Sequence, residues 1–122
     1  MSDSRTRRYR DQRAAEQHHL CYYCLFPMWT TEAKVFADAH HITIAEAARF
    51  RCTAEHLQAV CEGGTTRLGN IVAACRFCNE RRHRRNKRLS PEVYMVRVRR
   101  HVAKLRWHPS RLHKLREPIT VA

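Results

Sequence analysis

The sequence contains two pairs of cysteines in which two residues separate the partners. Cys21 and Cys24 form the first pair, and Cys75 and Cys78 form the second. A gap of two residues lets both thiolates of a pair bind one metal ion, and two such pairs complete a tetrahedral four-cysteine zinc site. We therefore predict a structural Zn²⁺ ion bound by these four side chains.

A second group of polar side chains combines metal ligands with a potential base. Glu55 and His56 are adjacent in the chain. Asn79 directly follows the second cysteine pair and His83 lies four residues later, so the two share one face of a helix. Carboxylate, amide and imidazole groups suit one divalent cation, and a remaining imidazole can act as a base near neutral pH. Oxygen ligands favour Mg²⁺ or Mn²⁺, whereas a nitrogen ligand from His83 favours Mn²⁺, Ni²⁺ or Zn²⁺.

Two strands and a helix are predicted to bring this second group together. Residues 51–56 have the composition of a strand, and residues 70–74 form a second strand with β-branched content. Gly63 and Gly64 mark the loop between them. A basic helix over residues 79–88 follows, so the order strand, loop, strand and helix can enclose the four polar side chains in one small volume.

Further helices are predicted on both sides of this unit, which makes the whole chain a small α+β protein. About residues 30–50 are expected to form a helical insertion, in which Thr43 can cap a helix. Ser90 and Pro91 have the N-cap and first-turn preferences of another helix. We divide the chain into a basic N-terminal arm, a zinc-stabilised domain with the insertion, and a C-terminal basic helix and tail: residues 1–13, 14–89 and 90–122.

The charge of the chain indicates a polyanionic partner. The 122 residues carry a net charge of +13, a balance most often associated with nucleic acid. Residues 76–122 alone hold fifteen basic and three acidic residues, a net charge of +12. A disordered, solvated basic tail is the alternative interpretation of this segment.

The densest basic run directly follows the second cysteine pair. On a helix its side chains point around most of the circumference, so only some of them can contact one phosphate backbone. Such contacts supply affinity without reading the nucleotide sequence. The predicted phosphate-contacting residues are Arg81, Arg82, Arg84, Arg85, Lys87 and Arg88.

Neither a membrane span nor a secretory signal is expected. No apolar run approaches the about 18 residues of a membrane span, and the N-terminus lacks an apolar segment. We therefore expect a cytoplasmic protein in a reducing compartment, where disulfides do not persist. The other two cysteines, Cys52 and Cys61, lack metal-binding spacing and are predicted to be small buried side chains.

In combination these motifs resemble the HNH endonucleases, a family of ββα-metal nucleases, in the branch with a four-cysteine zinc site. The resemblance covers about residues 21–83. The matching features are an acidic residue followed by histidine, a Gly-Gly loop, a mid-motif asparagine and an asparagine after the second cysteine pair: Glu55-His56, Gly63-Gly64, Asn70 and Asn79. The resemblance implies a ββα-metal core and metal-dependent hydrolysis of phosphodiester bonds, with double-stranded DNA as the expected substrate.

The resemblance also implies a role for each matching residue. His56 is implied to be the general base that takes a proton from the attacking water, and Asn70 to brace the loop and keep His56 oriented. Glu55 and Asn79 are implied to hold the catalytic divalent ion, with His83 as a further ligand. Glu55 stands where an aspartate is commoner in the family, and the helical insertion makes the chain before His56 long.

Three other interpretations remain open at the level of sequence. A non-catalytic zinc-ribbon protein would bind nucleic acid with the same zinc site and would not cut it. A helix-turn-helix regulator would use residues 42–49 as its first helix and residues 52–60 as its recognition helix. Asn79 could instead be a simple helix N-cap.

Overall fold

The computed structural model describes residues 3–117. Within that range the chain forms a small α+β fold with five α-helices and a two-stranded antiparallel sheet. The elements in chain order are α1 (Ser4–Glu16), α2 (Ala33–His40), α3 (Ile44–Ala47), β1 (Cys52–His56), β2 (Ile71–Cys75), α4 (Arg76–His83) and α5 (Pro91–Ala103). Short 3-10 helices span Ala48–Phe50, Val60–Glu62, Leu68–Asn70 and Ser110–Arg116. The predicted fold class is confirmed, with β1, β2 and α4 as its ββα unit, and no helix in this range is long and apolar enough to cross a membrane.

β1 and β2 pair along their full length, which fixes the end of β1 beside the start of β2. Cys52 lies opposite Cys75, and His56 lies opposite Ile71. All five residues of β2 are buried, whereas only two of the five residues of β1 are. Both predicted strands are confirmed, with shifts of one residue at their ends.

α1 covers the edge of β2 that faces away from β1, so the described part of the predicted basic N-terminal arm over residues 1–13 lies against the sheet. The described part of that segment is helical from its second residue and continues to the end of α1. The Arg13 guanidinium donates to the carbonyl of Ile71 at 3.0 Å. The Gln17 side chain donates to the carbonyl of Ala73 at 2.8 Å and accepts from its N–H at 3.0 Å. These bonds satisfy backbone groups on a strand edge that would otherwise be open.

Aromatic side chains form the centre of the core around the cysteine pairs. Tyr23 meets Tyr94 edge to face, with ring centroids 4.8 Å apart, and Phe26 stacks on Phe50 at 5.7 Å. All four side chains are buried. Since Tyr94 belongs to α5, one core joins residues on both sides of the boundary predicted at residue 90.

The described part of the predicted C-terminal tail is packed against this core. Leu112 and Leu115 of the last 3-10 helix are buried, and His108 just before it is 2% exposed. Two leucines and a histidine supply an apolar face among the basic residues, so the alternative interpretation of a disordered, solvated tail is wrong up to residue 117.

α4 begins earlier than the predicted helix over residues 79–88. Its N-cap is Cys75, whose sulfur accepts a hydrogen bond from the backbone N–H of Cys78 at 3.4 Å. Asn79 therefore lies inside the helix, and its interpretation as an N-cap is wrong.

The second half of the basic run lies outside α4. The helix ends at His83, and the Arg82 side chain donates to the carbonyl of Leu89 at 3.2 Å, which fixes the returning chain. Residues 84–88 carry four basic side chains and no acidic one. Their mutual repulsion disfavours a further helical turn.

The stretch expected to form a helical insertion contains α2, α3 and a 3-10 turn. Thr43 caps α3 because its hydroxyl accepts from the N–H of Glu46 at 3.0 Å, while the Glu46 carboxylate accepts from the N–H of Thr43 at 2.9 Å. Residues 52–60, which a helix-turn-helix regulator would need as a recognition helix, begin with strand β1. The helix-turn-helix interpretation is therefore wrong.

The two cysteines outside the pairs have different environments. Cys52 is buried, as predicted, and burial raises the pKa of its thiol to about 12. Cys61 is exposed, so the prediction of a buried side chain is wrong for this residue.

Candidate functional site

Four cysteine sulfurs meet in the core. The Sγ atoms of Cys21, Cys24, Cys75 and Cys78 all lie within 4.8 Å of one another, and all four side chains are buried. The sulfurs of Cys24 and Cys75 are 3.8 Å apart, which matches the edge of about 3.8 Å in a tetrahedron with Zn–S bonds of about 2.3 Å. The cluster predicted from the cysteine spacing is confirmed, and its ligand number and dimensions fit a structural zinc ion.

Burial alone would not keep these sulfurs ionised. It raises the pKa values of the Cys24 and Cys78 thiols well above their ordinary value, because a thiolate without a counter-charge is disfavoured in a dry core. A bound divalent cation reverses that preference, since the thiolate is the form that binds metal.

Two adjacent residues far along the chain donate hydrogen bonds to the cysteine sulfurs. The indole N–H of Trp107 donates to the Cys78 sulfur at 3.3 Å. His108 Nδ1 accepts from the Arg49 guanidinium at 3.2 Å, so its Nε2 carries the proton and donates to the Cys24 sulfur at 3.4 Å. Burial lowers the pKa of His108 to about 3, so the ring is neutral at physiological pH. Sequence reasoning missed both contacts, because neither residue has a motif spacing to the cysteines.

A second site lies at the surface between the end of β1 and α4. The open pocket there has a volume of about 310 Å³. Its chemically active side chains are Glu55, His56, Asn79 and His83, together with Cys61 and Arg88. The four residues predicted to act on the ion and the water are therefore brought together, whereas Asn70 is not among the lining residues.

Glu55 is fully buried, and its two carboxylate oxygens have different partners. Oε2 accepts from the Tyr23 hydroxyl at 2.9 Å and from the Arg82 guanidinium at 3.0 Å. Oε1 lies 2.6 Å from Nε2 of His83. Three partners offset the cost of burying this carboxylate. Oε1 is thus the oxygen that contacts another lining residue of the surface pocket.

Three atoms of this pocket are candidate donors for a divalent ion: Glu55 Oε1, His83 Nε2 and Asn79 Oδ1. The Asn79 amide nitrogen donates to the Thr53 hydroxyl at 3.0 Å and to the Ala54 carbonyl at 3.2 Å, which leaves the amide oxygen without either of these bonds and available to an ion. Across residues 3–117, the cysteine cluster is the only group of three or more Cys, His, Asp or Glu side chains placed to hold a metal. An ion in the surface pocket would therefore have few protein ligands and open positions, a set of oxygen and nitrogen donors that fits Mg²⁺ or Mn²⁺.

His56 ends β1 and is half-buried beside the loop that joins the strands. Its Nε2 lies 3.3 Å from the hydroxyl of Thr66, and its backbone carbonyl accepts from Arg82 at 3.2 Å. The ring makes no ion pair with any carboxylate in the described part of the chain. A loop hydroxyl is therefore the group that orients this imidazole.

Asn70 joins two stretches of the loop between β1 and β2. Its amide nitrogen donates to the carbonyls of Gln58 at 3.0 Å and Thr65 at 2.7 Å, and its oxygen accepts from the N–H of Gln58 at 2.8 Å. The loop closes so tightly that a Cβ on Gly64 would lie 1.8 Å from the Gln58 carbonyl oxygen, so only glycine fits. Asn70 thereby holds the loop segment whose hydroxyl contacts the imidazole of β1.

The basic residues predicted to contact phosphate occupy different environments. Arg82 is 2% exposed and ion-paired with Glu55, so it cannot reach a phosphate backbone and that expectation is wrong. Arg88 lines the surface pocket and pairs with Glu62 at 3.0 Å. Lys87 is exposed in the turn after α4. The remaining three line a different pocket: Arg81, Arg84 and Arg85.

Arg82→Gln is expected to lower the free energy of unfolding by about 3–5 kcal/mol, because it leaves the buried Glu55 charge without its ionic partner. The substitution also weakens donation to the carbonyls of His56 and Leu57, now at 3.2 and 2.9 Å. Arg84→Gln, at an exposed neighbour, is the matched control and should change stability by less than about 0.5 kcal/mol. Denaturant unfolding measures both, and equal effects would contradict the internal role of Arg82.

Comparison with protein families identifies the same part of the chain. The sequence model of the family described as HNH endonuclease matches residues 46–85. No curated protein and no solved structure matched the chain. The matched range includes β1, the loop, β2 and α4, and with them the four predicted residues of the surface pocket and the second cysteine pair. The resemblance read from the motifs is therefore confirmed over residues 46–85, where the sequence is similar to the HNH endonucleases and the structure has a ββα arrangement consistent with the ββα-metal fold.

Proposed function

We propose that this chain is a metal-dependent endonuclease that hydrolyses phosphodiester bonds in DNA. The observation that carries the proposal is one open pocket in which the His56 imidazole lies near the hydrogen-bonded pair of Glu55 and His83. A nuclease-type function follows from the HNH segment over residues 46–85. The proposal adds that the reaction is hydrolysis and that the substrate is DNA.

His56 acts as the general base in this proposal. A neutral imidazole accepts a proton from water near pH 7. Nε2 faces the Thr66 hydroxyl, whereas Nδ1 has no hydrogen-bond partner in residues 3–117 and is not buried. Nδ1 is therefore the nitrogen that can take the proton from the attacking water.

Glu55, Asn79 and His83 hold the divalent ion through one atom each. When bound, such an ion supplies positive charge that stabilises the phosphate and the leaving oxygen in the transition state. Tyr23 and Arg82 bind the other oxygen of Glu55 and so keep this carboxylate in one orientation. Tyr23 and Arg82 thus position Glu55, the proposed ligand of the ion, and do not contact the substrate themselves.

Arg88 binds the substrate phosphate beside the scissile bond. It lines the same pocket as His56 and pairs with Glu62 through Nη1 at 3.0 Å, whereas its Nη2 has no hydrogen-bond partner among the described residues and is not buried. A guanidinium with a free donor is suited to a phosphate oxygen. The net charge of +13 adds long-range attraction for a polyanion.

Plasmid relaxation tests the proposed function. Purified protein freed of loosely bound ions should leave supercoiled DNA intact, and added Mg²⁺ or Mn²⁺ should produce nicked or linear DNA. Binding to the same DNA without a divalent ion should weaken by orders of magnitude between about 50 and about 200 mM salt, as counterion release requires.

Two results would overturn the proposal. DNA binding without cleavage at any divalent ion would support the alternative of a non-catalytic zinc-ribbon protein. Cleavage of RNA with no action on DNA would retain the chemistry and reject the proposed substrate.

A further inference from the structure

A second pocket lies on the opposite side of α4 from the candidate active site. Its volume is about 600 Å³, within the range of about 300–1,000 Å³ that is typical of ligand pockets. α4 and the turn after it form one side, and α5 forms the other. The basic residues that line it are Arg81, Arg84, Arg85 and Arg97.

These four guanidinium groups have almost no counter-charge. In the part of the chain that the structure describes, Glu80 is the only carboxylate within ion-pair distance of any of them, at 3.9 Å from Arg84. That carboxylate is already bound by Arg76 at 2.9 Å. Like charges that face one pocket repel one another unless an anion lies between them. The pocket therefore has the electrostatic character of a phosphate site.

Aromatic side chains complete the lining of this pocket. Trp107 is half-buried, with its ring centre 5.4 Å from the Arg81 guanidinium and 5.8 Å from the ring of Tyr94. The ring of His101 lies 6.0 Å away, tilted by 32°. Aromatic rings and arginine planes are the groups on which unpaired nucleic-acid bases stack, whatever their sequence. One pocket thus offers partners for both a phosphate and a base.

The backbone holds Trp107 in a conformation that bulky residues rarely adopt. Its φ angle is 79°. Two contacts keep it there: the indole N–H donates to the Cys78 sulfur at 3.3 Å, and the backbone carbonyl accepts from Arg49 at 3.2 Å. Such conformations persist where the surroundings over-determine them, and they cluster at ligand clamps. The indole is therefore fixed before a ligand binds, which lowers the entropic cost of binding.

We propose that this pocket binds one unpaired nucleotide of a nucleic-acid strand, with its phosphate between the arginines of α4 and α5 and its base against Trp107. The proposal rests on nucleic acid being the partner, as proposed above, and does not depend on cleavage. Asn79 and His83 of α4 face the candidate active site, whereas Arg81 faces this pocket from the other side of the same helix and Arg85 from the turn that follows it. A helix is about 10–12 Å wide, so a strand with a rise of about 3.4 Å per nucleotide spans both sites within about four nucleotides.

The fluorescence of Trp107 reports directly on this pocket. Trp29→Phe leaves Trp107 as the only tryptophan. If Trp29→Phe lowers the melting temperature, the parent protein is titrated instead. Trp29 is bonded to the Ala47 carbonyl at 2.8 Å and does not line the pocket, so quenching in the parent protein still reports on Trp107. Protein without added divalent ion is titrated with single-stranded hexathymidylate, with the same hexamer built from abasic units, and with thymidine monophosphate.

Hexathymidylate is expected to quench Trp107 and to bind at least about fivefold more tightly than the abasic hexamer, because a stacked base adds affinity. The monophosphate should bind at least about tenfold more weakly than hexathymidylate, since it makes fewer backbone contacts. Arg97→Gln should weaken hexathymidylate binding about fivefold or more. Arg100→Gln is the matched control, because it removes the same charge from the same helix and does not line this pocket.

Several outcomes would overturn the proposal. Absent quenching, equal binding of the abasic hexamer, or equal effects of Arg97→Gln and Arg100→Gln would each exclude a stacked base in this pocket. A monophosphate that binds as tightly as hexathymidylate would point to a free nucleotide as the ligand. Absent quenching with intact plasmid cleavage would reject this pocket alone, whereas quenching without cleavage would reject the proposed nuclease alone.

Discussion

His56→Ala is expected to slow divalent-dependent cleavage by about 10²–10⁴-fold, the usual cost of removing a general base. Zinc content, melting temperature and DNA affinity should stay close to those of the parent protein. The reason is structural: the half-buried His56 ring makes one hydrogen bond, at 3.3 Å to Thr66, and carries no ion pair in residues 3–117. Little folding free energy is therefore lost with the ring.

Variants of the proposed ion ligands provide the contrast. Asn79→Ala and His83→Ala should also slow cleavage, but raised Mn²⁺ should restore part of it, because their loss weakens binding of the ion. His56→Ala should not respond to Mn²⁺, since the missing group handles a proton. Glu55→Ala is less informative because it leaves the buried Arg82 unpaired. His18→Ala removes an exposed imidazole outside the pocket and should cleave like the parent.

One gel series across a Mn²⁺ titration, with thermal melts of the same samples, decides between these roles. Full cleavage by His56→Ala at the parent melting temperature would reject His56 as the base. Recovery with Mn²⁺ would make His56 an ion ligand instead. A lowered melting temperature would indicate that the ring supports the fold.

Local spacing was enough to predict the ββα unit and both groups of chemically active side chains. The two C-x-x-C pairs specify a cluster because each pair needs only a tight turn to converge. The start of α5 is equally local, since Ser90 caps it by accepting from the N–H of Val93 at 3.3 Å and Pro91 occupies its first position. Such features depend on a few consecutive residues and can therefore be predicted from the sequence.

Contacts between distant residues could not be predicted in this way. Arg82 resembles every other member of the basic run, and only the burial of Glu55, 27 residues earlier, makes it an internal ion-pair partner. Trp107 and His108 lie 29 and 84 residues from the sulfurs that they contact. No periodicity relates these positions, because they depend on the path of the whole chain around the core. The charge composition therefore predicts the class of partner, but it does not show which arginines can contact that partner.

Cys75→Ser is expected to abolish zinc binding and cooperative folding together. Cys75 is a sulfur of the cluster, the last residue of β2 and the N-cap of α4. Structural zinc contributes an apparent free energy of about 10–16 kcal/mol in small domains, which matches or exceeds the total stability of about 5–15 kcal/mol of an ordinary domain. A core of this size cannot offset the loss of one ligand in four.

Cys61→Ser is the matched control, because it makes the same chemical change at an exposed cysteine outside the cluster. The parent and Cys61→Ser should retain about one zinc ion per chain after dialysis against a weak chelator and should melt cooperatively. Cys75→Ser should contain no zinc and show no cooperative melt. Because α4 presents Asn79 and His83 to the surface pocket, Cys75→Ser should also fail to cleave DNA at any Mn²⁺ concentration. A Cys75→Ser protein with the parent melting temperature, or a parent protein without zinc, would mean that the apolar core alone holds the fold.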